Sequence, residues 1–327
     1  MIIGVPTIVG GKDKYKVIVT AHTGATVTVS KDGTTYTTPE ESGTWTFEVP
    51  EVGTYTASAT YNNSTTTKTV VVDDTEVELY YVSYTLSENS PAIIQKVAQE
   101  GIGDTYWDIG DVTEEIAFQS VWVYASGLAN GHGLDMTGLT CRAFIIGFNH
   151  NSSIEGTGIH FQIGKTANGT DICYNATNGS FCMNSSSTNV GSWDESLMRN
   201  QICPSFYNAL PAQWQAVIAP CTKVTGAGNT DDYNSYTTED YIWLLSRYEV
   251  AGTGNSVSGK QAQYQYYSNG NSKVKYKHDD TTTANTWWLR SPFSSSSNQF
   301  DDINAYGNVS YGQSSNNYGF APCFMVA

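Results

Sequence analysis

The chain contains few charged side chains. Asp, Glu, Lys and Arg make up 14% of its 327 residues, whereas soluble proteins usually contain about 25%. Thr, Ser, Asn, Tyr and Gly take their place, a profile typical of β-rich surface and virion proteins. The formal net charge is −15. This acidic excess disfavours nucleic acids and anionic membranes as partners. The simplest explanation of the excess is solubility alone.

Signals for export and membrane insertion are missing. No stretch approaches 18 consecutive apolar residues, so we expect no membrane insertion. Residues 1–6 lack a basic start followed by a long apolar segment, so we expect no signal peptide. The six cysteines form neither a CxxC pair nor a zinc-like spacing. Cys141 and Cys323 lie in apolar stretches and are expected as buried thiols. For Cys173 and Cys182, a disulfide bridge with each other is an alternative.

Metal and catalytic motifs are also missing. The five histidines are dispersed and form no HExxH motif. His150 and His160 are expected on adjacent strands, where a structural role is favoured over metal binding. The Asp pairs at 231–232, 279–280 and 301–302 match no EF-hand pattern and are expected in solvated turns. We therefore expect no metal, no cofactor and no catalytic residue.

Residues 1–86 are expected to form an all-β domain. Apolar and polar residues alternate at 14–20, 26–30 and 53–61, and such segments recur every 8–12 residues. Residues 31–34 read Lys-Asp-Gly-Thr, which favours a tight hairpin turn. Residues 53–57 resemble the corner before the penultimate strand of immunoglobulin-like modules. The expected fold is therefore an immunoglobulin-like β-sandwich.

Residues 87–327 are expected to form an α+β domain. Ser90 is placed to cap a helix, Pro91 suits its first position, and Gly101 suits its end. Other expected elements are strands at 141–149 and 241–248 and helices at 194–200 and 206–218, with breaks at Cys203-Pro204 and Pro211.

The C-terminal tract has an unusual composition. From residue 293 to 318 it contains seven Ser, five Asn and three Tyr, and no Lys, Arg or Glu follows Arg290. Such low complexity alone would indicate disorder. However, Trp287–Pro292 precedes the tract, and an apolar segment at 319–324 follows it. Tyr provides contact area, and Ser, Gly and Asn provide adaptable hydrogen bonds, as in binding surfaces. We therefore expect an ordered binding surface.

Four segments together carry a family resemblance. They are IIGFNH at 145–150, SWDESLMR at 192–199, IWLLS at 242–246 and WWLRSP at 287–292. In this order they resemble a domain of unknown function found in gut bacteria and their phages. Its fold is similar to C-type lectins and formylglycine-generating enzymes, and the resemblance covers about residues 88–327. Some similar proteins are variable proteins of diversity-generating retroelements, in which Asn-type codons are randomised at template adenines.

The resemblance implies a C-type-lectin-like domain at 87–327, with a variable region at about 287–324. Residues reachable from an Asn codon would contact ligand, whereas Gln299 and Gln313 cannot arise in this way. The implied ligand-binding positions are Phe293, Ser294, Ser295, Ser297, Asn298, Tyr306, Ser310, Tyr311, Ser315, Asn316 and Asn317. The implied constant framework consists of Phe300, Gly307, Val309 and Gly312, and the implied anchors are Trp287, Trp288, Arg290 and Phe324. Arg290 is expected to pair with a carboxylate beneath the surface, with ligand contact as the alternative.

Three functions remain open from the sequence. The leading one is a non-enzymatic receptor-binding protein on a phage virion or cell surface, with a bacterial surface protein or glycan as ligand and a homo-oligomer as one option. The second is an enzyme with the formylglycine-generating fold or a glycan hydrolase. Of the cysteines that this enzyme branch would require near its C-terminus, only Cys323 is present. The third is a structural spike without ligand, in which Tyr306, Tyr311 and Tyr318 pack against another subunit.

Overall fold

The protein is β-rich, with 41% of residues in strands and 15% in helices. The computed structural model describes residues 15–73, 76–125, 132–177, 179, 181–254, 257 and 259–327, without the side chains of residues 232 and 233. Residues 1–6, on which the signal-peptide prediction rests, lie outside these ranges. The chain forms two compact units. The first unit comprises the described residues up to Ser83 and a second segment, Glu88–Ile93. The second unit comprises Tyr84–Ser87 and Ile94–Ala327.

The first unit consists of two sheets around one apolar core. Its strands are β1 (Tyr15–Thr20), β2 (Thr26–Lys31), β3 (Thr34–Tyr36), β4 (Thr44–Val49), β5 (Gly53–Tyr61), β6 (Ser64–Val72) and β7 (Val77–Tyr80). They form the sheets β4-β1-β7 and β3-β2-β5-β6. In strand β4, for example, successive side chains point to opposite faces of the sheet, and Trp45, Phe47 and Val49 on one face are buried in the core. The predicted turn is formed at Asp32 and Gly33, both with positive φ. The Tyr55 hydroxyl donates to the Glu51 carbonyl at 2.8 Å.

The remaining elements of the described chain are short helices and many strands, and the helix at residues 91–99 begins within the first unit. The helices are α1 (Pro91–Gln99), α2 (Gly103–Tyr106), α3 (Ser152–Glu155), α4 (Cys203–Ala209), α5 (Ala212–Gln215), α6 (Arg247–Ala251) and α7 (Gln265–Ser268). A π-helical turn at Met198–Ile202 precedes α4, and a 3-10 turn at Leu86–Glu88 precedes α1. None of the helices in the described ranges has the length and apolar character needed to cross a bilayer.

Fifteen strands complete the described part of the chain. They are β8 (Ile116–Ala117), β9 (Trp122–Val123), β10 (Leu134–Asp135), β11 (Thr140–Phe148), β12 (Ile159–Lys165), β13 (Ile172–Cys173), β14 (Ile218–Ala219), β15 (Cys221–Gly228), β16 (Asp231–Asp240), β17 (Lys275–Lys277), β18 (Asp280–Asn285), β19 (Trp287–Pro292), β20 (Gln299–Ile303), β21 (Val309–Gln313) and β22 (Cys323–Val326).

The central sheet has the order β14-β22-β12-β11-β8. All four residues of β22 are buried, and Phe324 stacks on Phe161 with ring centroids 5.2 Å apart. The apolar end of the chain is therefore a core strand. A second sheet, β19-β20-β21, carries the C-terminal tract. The first four residues of β19 are buried, so the tract starts from the core.

Four secondary-structure predictions need correction. The helix expected at 194–200 starts only at the π-helical turn Met198–Ile202, and the helix expected at 206–218 ends with α5 at Gln215, before β14. Residues 241–248 do not form a strand. Trp243 makes only an isolated bridge to Cys323, and helix α6 begins directly after Ser246. A capping box explains this, because Ser246 accepts from the Glu249 backbone N–H while the Glu249 carboxylate accepts from the Ser246 N–H. The expected break at Cys203-Pro204 is instead the start of α4, where Pro is tolerated in the first turn.

The cysteines form no disulfide bond. All six are buried free thiols, so the alternative of a Cys173–Cys182 bridge is wrong, whereas the buried thiols expected for Cys141 and Cys323 are confirmed. Burial raises the pKa of Cys141 to about 12 and that of Cys173 to about 11. These thiols are therefore protonated at neutral pH and poor nucleophiles.

Candidate functional site

The eleven implied ligand-binding residues all reach the surface. Six are exposed and five are half-buried. Tyr306 is 86% exposed and Tyr311 52%. The exposed set is Ser295, Ser297, Tyr306, Tyr311, Ser315 and Asn317, and the half-buried set is Phe293, Ser294, Asn298, Ser310 and Asn316. In contrast, Trp287, Trp288, Arg290 and Phe324 are fully buried. We call the eleven residues the C-terminal face.

The framework positions differ from one another in burial. Phe300 and Gly312 lie opposite each other in β20 and β21 and are buried. Gly307 and Val309 are half-buried. The Phe293 and Tyr311 rings stack with centroids 4.1 Å apart and an angle of 14°. This stack forms an aromatic platform on the C-terminal face.

Asn189 fixes the loop that carries Phe293 to Asn298. Its buried side-chain amide donates to the carbonyls of Ser296 at 2.6 Å and Gln299 at 2.8 Å. The amide oxygen accepts from the Asn229 N–H at 2.8 Å. These bonds hold the loop by its backbone, so its side chains need not determine its shape. Sequence analysis missed Asn189, because an Asn within a Ser- and Asn-rich stretch gives no distinguishing signal.

Ser314 plays the corresponding part after β21. Its hydroxyl donates to the Ser186 carbonyl at 3.1 Å and accepts from the Thr188 N–H at 2.8 Å. Two members of the C-terminal face also make local bonds. The Asn317 side-chain oxygen accepts from the Phe181 N–H at 3.1 Å, and the Asn316 amide donates to the Tyr318 hydroxyl at 2.9 Å. These two positions therefore contribute to local structure as well as to the surface.

Arg290 is buried beneath the C-terminal face. Its guanidinium forms a bidentate salt bridge with the Glu249 carboxylate, in which Nη2 lies 2.8 Å from Oε1. Nε donates to the Thr225 hydroxyl at 2.9 Å. Burial lowers the pKa of Arg290, but the adjacent Glu249 carboxylate raises it by more. The net pKa lies above its usual value, so the side chain stays charged. At 0% exposure Arg290 lies out of reach of a ligand.

A second buried ion group adjoins this pair. Lys223 Nζ lies 2.7 Å from Glu155 Oε2 and 3.6 Å from Glu249 Oε1. It also donates to the Tyr264 hydroxyl at 2.9 Å. Burial raises the pKa of Glu155, but Lys223 and two histidines lower it more, so it lies well below its usual range. Lys223, Arg290, Glu155 and Glu249 thus balance two positive against two negative charges.

His150 and His160 do approach each other, with Glu155 between them, but only His160 lies on a strand, β12, and His150 lies in the turn after β11. The ligand atoms of these three residues lie within 4.8 Å of one another. However, the Lys223 ammonium already binds the Glu155 carboxylate, and its charge would repel a divalent cation. Burial and Lys223 lower the pKa of His160 well below its usual value, so its ring is neutral. The group fits a buried hydrogen-bonded ion network better than a metal site.

Asp301 and Asp302 correct the expectation of a solvated turn. Both lie in strand β20 and are buried, with exposures of 4% and 2%. Burial raises the pKa of each carboxyl to about 7. Because neighbouring strand residues point to opposite faces, the two carboxyls do not form a pair. Flanking Phe300 and Ile303 were the signal for a strand. Of the other expected turns, Asp231 begins β16 and Asp280 begins β18, whereas the side chain of residue 232 lies outside the described atoms.

The C-terminal half of the chain also has a family match. Residues 174–327 match a family described as a domain of unknown function, DUF6273. No curated protein matches the chain. The DUF6273 match includes the whole C-terminal face and its anchors but begins after β11 and β12. In the central sheet β12 pairs with β22, and β11 pairs with β12, so the matched segment alone lacks part of its own core.

Proposed function

We propose that this protein is a non-enzymatic ligand-binding protein whose C-terminal face binds the ligand. The face would be diversified by a retroelement and displayed on a phage virion or cell surface. One observation carries the proposal. All eleven implied positions reach the surface, while the four implied anchors are fully buried. Surface side chains can change with little cost in stability, whereas buried ones cannot. This division is what a variable binding surface requires.

The proposal extends to the architecture. We assign the first unit as an immunoglobulin-like sandwich and the second as a C-type-lectin-like domain. Two sheets around one core support the first assignment. So does the bond from the Tyr55 hydroxyl to the Glu51 carbonyl, four residues upstream, which has the form of a tyrosine corner. For the second, the four motifs provide support.

The chemistry of the face favours a bacterial surface protein or glycan as the ligand. Exposed Tyr306 and Tyr311 provide aromatic contact area, and the Ser and Asn side chains provide neutral hydrogen bonds. None of the eleven residues is charged. Binding would therefore depend on packing and neutral hydrogen bonds rather than on ion pairs.

Binding to intact bacteria tests this proposal. Fluorescently labelled protein would be incubated with a panel of gut bacterial strains and measured by flow cytometry. Substituting Tyr306→Ala and Tyr311→Ala together removes the two largest exposed rings, so we expect at least about a tenfold loss of affinity on any strain that the protein binds. Tyr84→Ala is the matched control, because Tyr84 is 74% exposed but lies outside the face. Unchanged binding by the double variant would contradict the proposal.

Light scattering separates this function from that of a spike without ligand. If the exposed tyrosines pack against another subunit, the double variant should have a smaller mass than the unsubstituted protein at the same concentration. We expect equal masses, because we assign these side chains to ligand contact.

A further inference from the structure

A small cleft adjoins the C-terminal face and shares Phe293 and Ser294 with it. Its volume is about 100 Å³. Glycines 226 and 228 of β15 form one side. A Cβ at Gly228 would meet the Asn189 carbonyl, whereas one at Gly226 would meet open space. Arg247 of α6, Asp301 of β20 and Phe293 form the other sides.

Asp301 lines this cleft and carries an unfilled acceptor. The residue is 4% exposed, and its Oδ1 atom has no hydrogen-bond partner among the residues that the structure describes. The nearest cation is Arg247, whose Nη1 lies 3.8 Å from Oδ1, too far for a hydrogen bond. Buried carboxylate oxygens are normally hydrogen-bonded, so an unpaired one beside a cleft indicates a missing partner.

Arg247 presents the complementary donor. Its Nε atom is buried and likewise without a hydrogen-bond partner within the described ranges. Its backbone N–H donates to the Ser291 hydroxyl at 3.0 Å, which fixes the start of α6 against β19. The cleft therefore offers a donor and an acceptor side by side, separated by a gap that a polar atom of a ligand can bridge.

The charges of this pair select the ligand. An ammonium group would be repelled by Arg247, and a carboxylate would be repelled by Asp301. A neutral hydroxyl can donate to Asp301 and accept from Arg247 at once. The third acid at the cleft, Asp231, has its carboxylate engaged, because its two oxygens accept from the backbone and side-chain N–H groups of Asn234.

The aromatic platform completes the site. Phe293 lines the cleft and is held by its stack with Tyr311. A ring of this kind packs against the C–H face of a sugar while its hydroxyls reach the polar pair. We propose that the cleft is a carbohydrate subsite that binds one edge of a neutral pyranose, with a hydroxyl bridging Asp301 and Arg247. This assignment rests on the proposed function because Phe293 belongs to both the cleft and the C-terminal face. It narrows the ligand class to a glycan.

Titration with monosaccharides tests the subsite. Glucose, galactose, mannose and N-acetylglucosamine would be compared with glucosamine and glucuronate by ligand-observed NMR and calorimetry. We expect at least one neutral sugar to bind with a millimolar Kd, and the charged sugars to bind more weakly. Asp301→Asn replaces one carboxyl oxygen with an NH2 donor and should weaken binding about tenfold. Arg247→Lys, which replaces the planar donor, should also weaken it.

Asp302→Asn is the matched control. Asp302 is a buried neighbour that also has an unpaired Oδ1 atom among the described residues, but it points to the opposite face of β20. Its substitution should leave sugar affinity within about twofold. Asp301→Asn replaces a buried titratable carboxyl with a neutral amide of the same shape, so we expect it to fold, and a melting curve would check this. Failure of every neutral sugar to bind, or equal losses in both variants, would overturn the subsite.

The outcomes separate the two proposals. If no sugar binds but binding to cells depends on Tyr306 and Tyr311, only the subsite fails. If a sugar binds through Asp301 but cell binding ignores both tyrosines, only the C-terminal face fails as the binding surface. Cell binding that is lost after protease treatment of the bacteria and kept after glycosidase treatment would indicate a protein receptor and overturn the carbohydrate assignment.

Discussion

Burial governs the protonation of Asp301 and Asp302. An Asp carboxyl in an unfolded chain has a pKa of about 3.9, whereas burial raises both to about 7 in the folded protein. Between these values the unfolded chain releases a proton that the folded chain retains. The stabilisation from each carboxyl is therefore complete below about pH 4 and is lost as the pH rises to about 7. His160 acts in the opposite direction, because burial keeps it neutral in the folded state.

The first prediction isolates Asp302 from these opposing effects. Asp302→Asn keeps the side-chain shape but does not titrate. We expect its stability relative to the unsubstituted protein to increase between pH 4.5 and pH 8, by about 1–4 kcal/mol, since a full shift of about three pKa units corresponds to about 4 kcal/mol. Calorimetric melting temperatures across this range would measure the difference. Parallel curves for the two proteins would show that Asp302 does not titrate as described.

At the scale of elements, the loops of the C-terminal face are held from outside the tract. Asn189 binds the backbone of the loop after β19, and Ser314 binds the segment at residues 186–188. The bonded groups are backbone carbonyls and N–H groups, which every residue type provides. Loop shape is thereby separated from the identity of the exposed side chains, except at Asn316 and Asn317, whose side chains make local bonds. That separation is the structural requirement for a face whose residues vary.

The second prediction follows from this arrangement. Asn189→Ala would remove three hydrogen bonds, those to the carbonyls of Ser296 and Gln299 and that from the Asn229 N–H. A hydrogen bond contributes about 0.5–1.5 kcal/mol, so we expect a loss of about 2–4 kcal/mol in the free energy of unfolding. Asn308→Ala, at an exposed position of the tract, should change it by less than about 0.5 kcal/mol. Urea unfolding would measure both, and equal effects would contradict the assigned role of Asn189.

At the scale of the whole molecule, the charged residues lie outside the proposed binding surface. The chain carries a net charge of −15, yet the C-terminal face contains no charged residue. Bacterial surfaces are largely anionic, so the overall charge opposes association at long range, and added salt screens this repulsion. Neutral contacts at the face itself are not screened.

The third prediction concerns this salt dependence. Affinity for a bound strain should change by less than about threefold between about 0.15 M and 1 M NaCl, because neutral hydrogen bonds and aromatic packing dominate. The flow-cytometry measurement described above can be repeated at each salt concentration. A tenfold loss at high salt would instead indicate ion pairs with the ligand and would contradict a binding surface built from Tyr, Ser and Asn.

The sequence by itself determined the elements whose signals are local. Strand β5 has the predicted bounds, Gly53–Tyr61, because alternation over nine residues is complete within the segment. Helix α1 begins at Pro91, as its capping signals predict. The buried ends of the tract, β19 and β22, follow from their apolar residues. Composition and motifs also gave the C-terminal face as a hypothesis.

Only the tertiary structure decided which distant groups meet. Arg290 pairs with Glu249 across 41 residues, and Asn189 binds Ser296 across 107. Neither partner has a pattern in its own segment. Asp301 and Asp302 looked like a polar turn, and packing around β20 made them buried acids. Arg247 reached the cleft because a capping box replaced an expected strand with α6. Periodicity and caps act within a few residues, whereas burial and ion pairing depend on the packing of the whole unit.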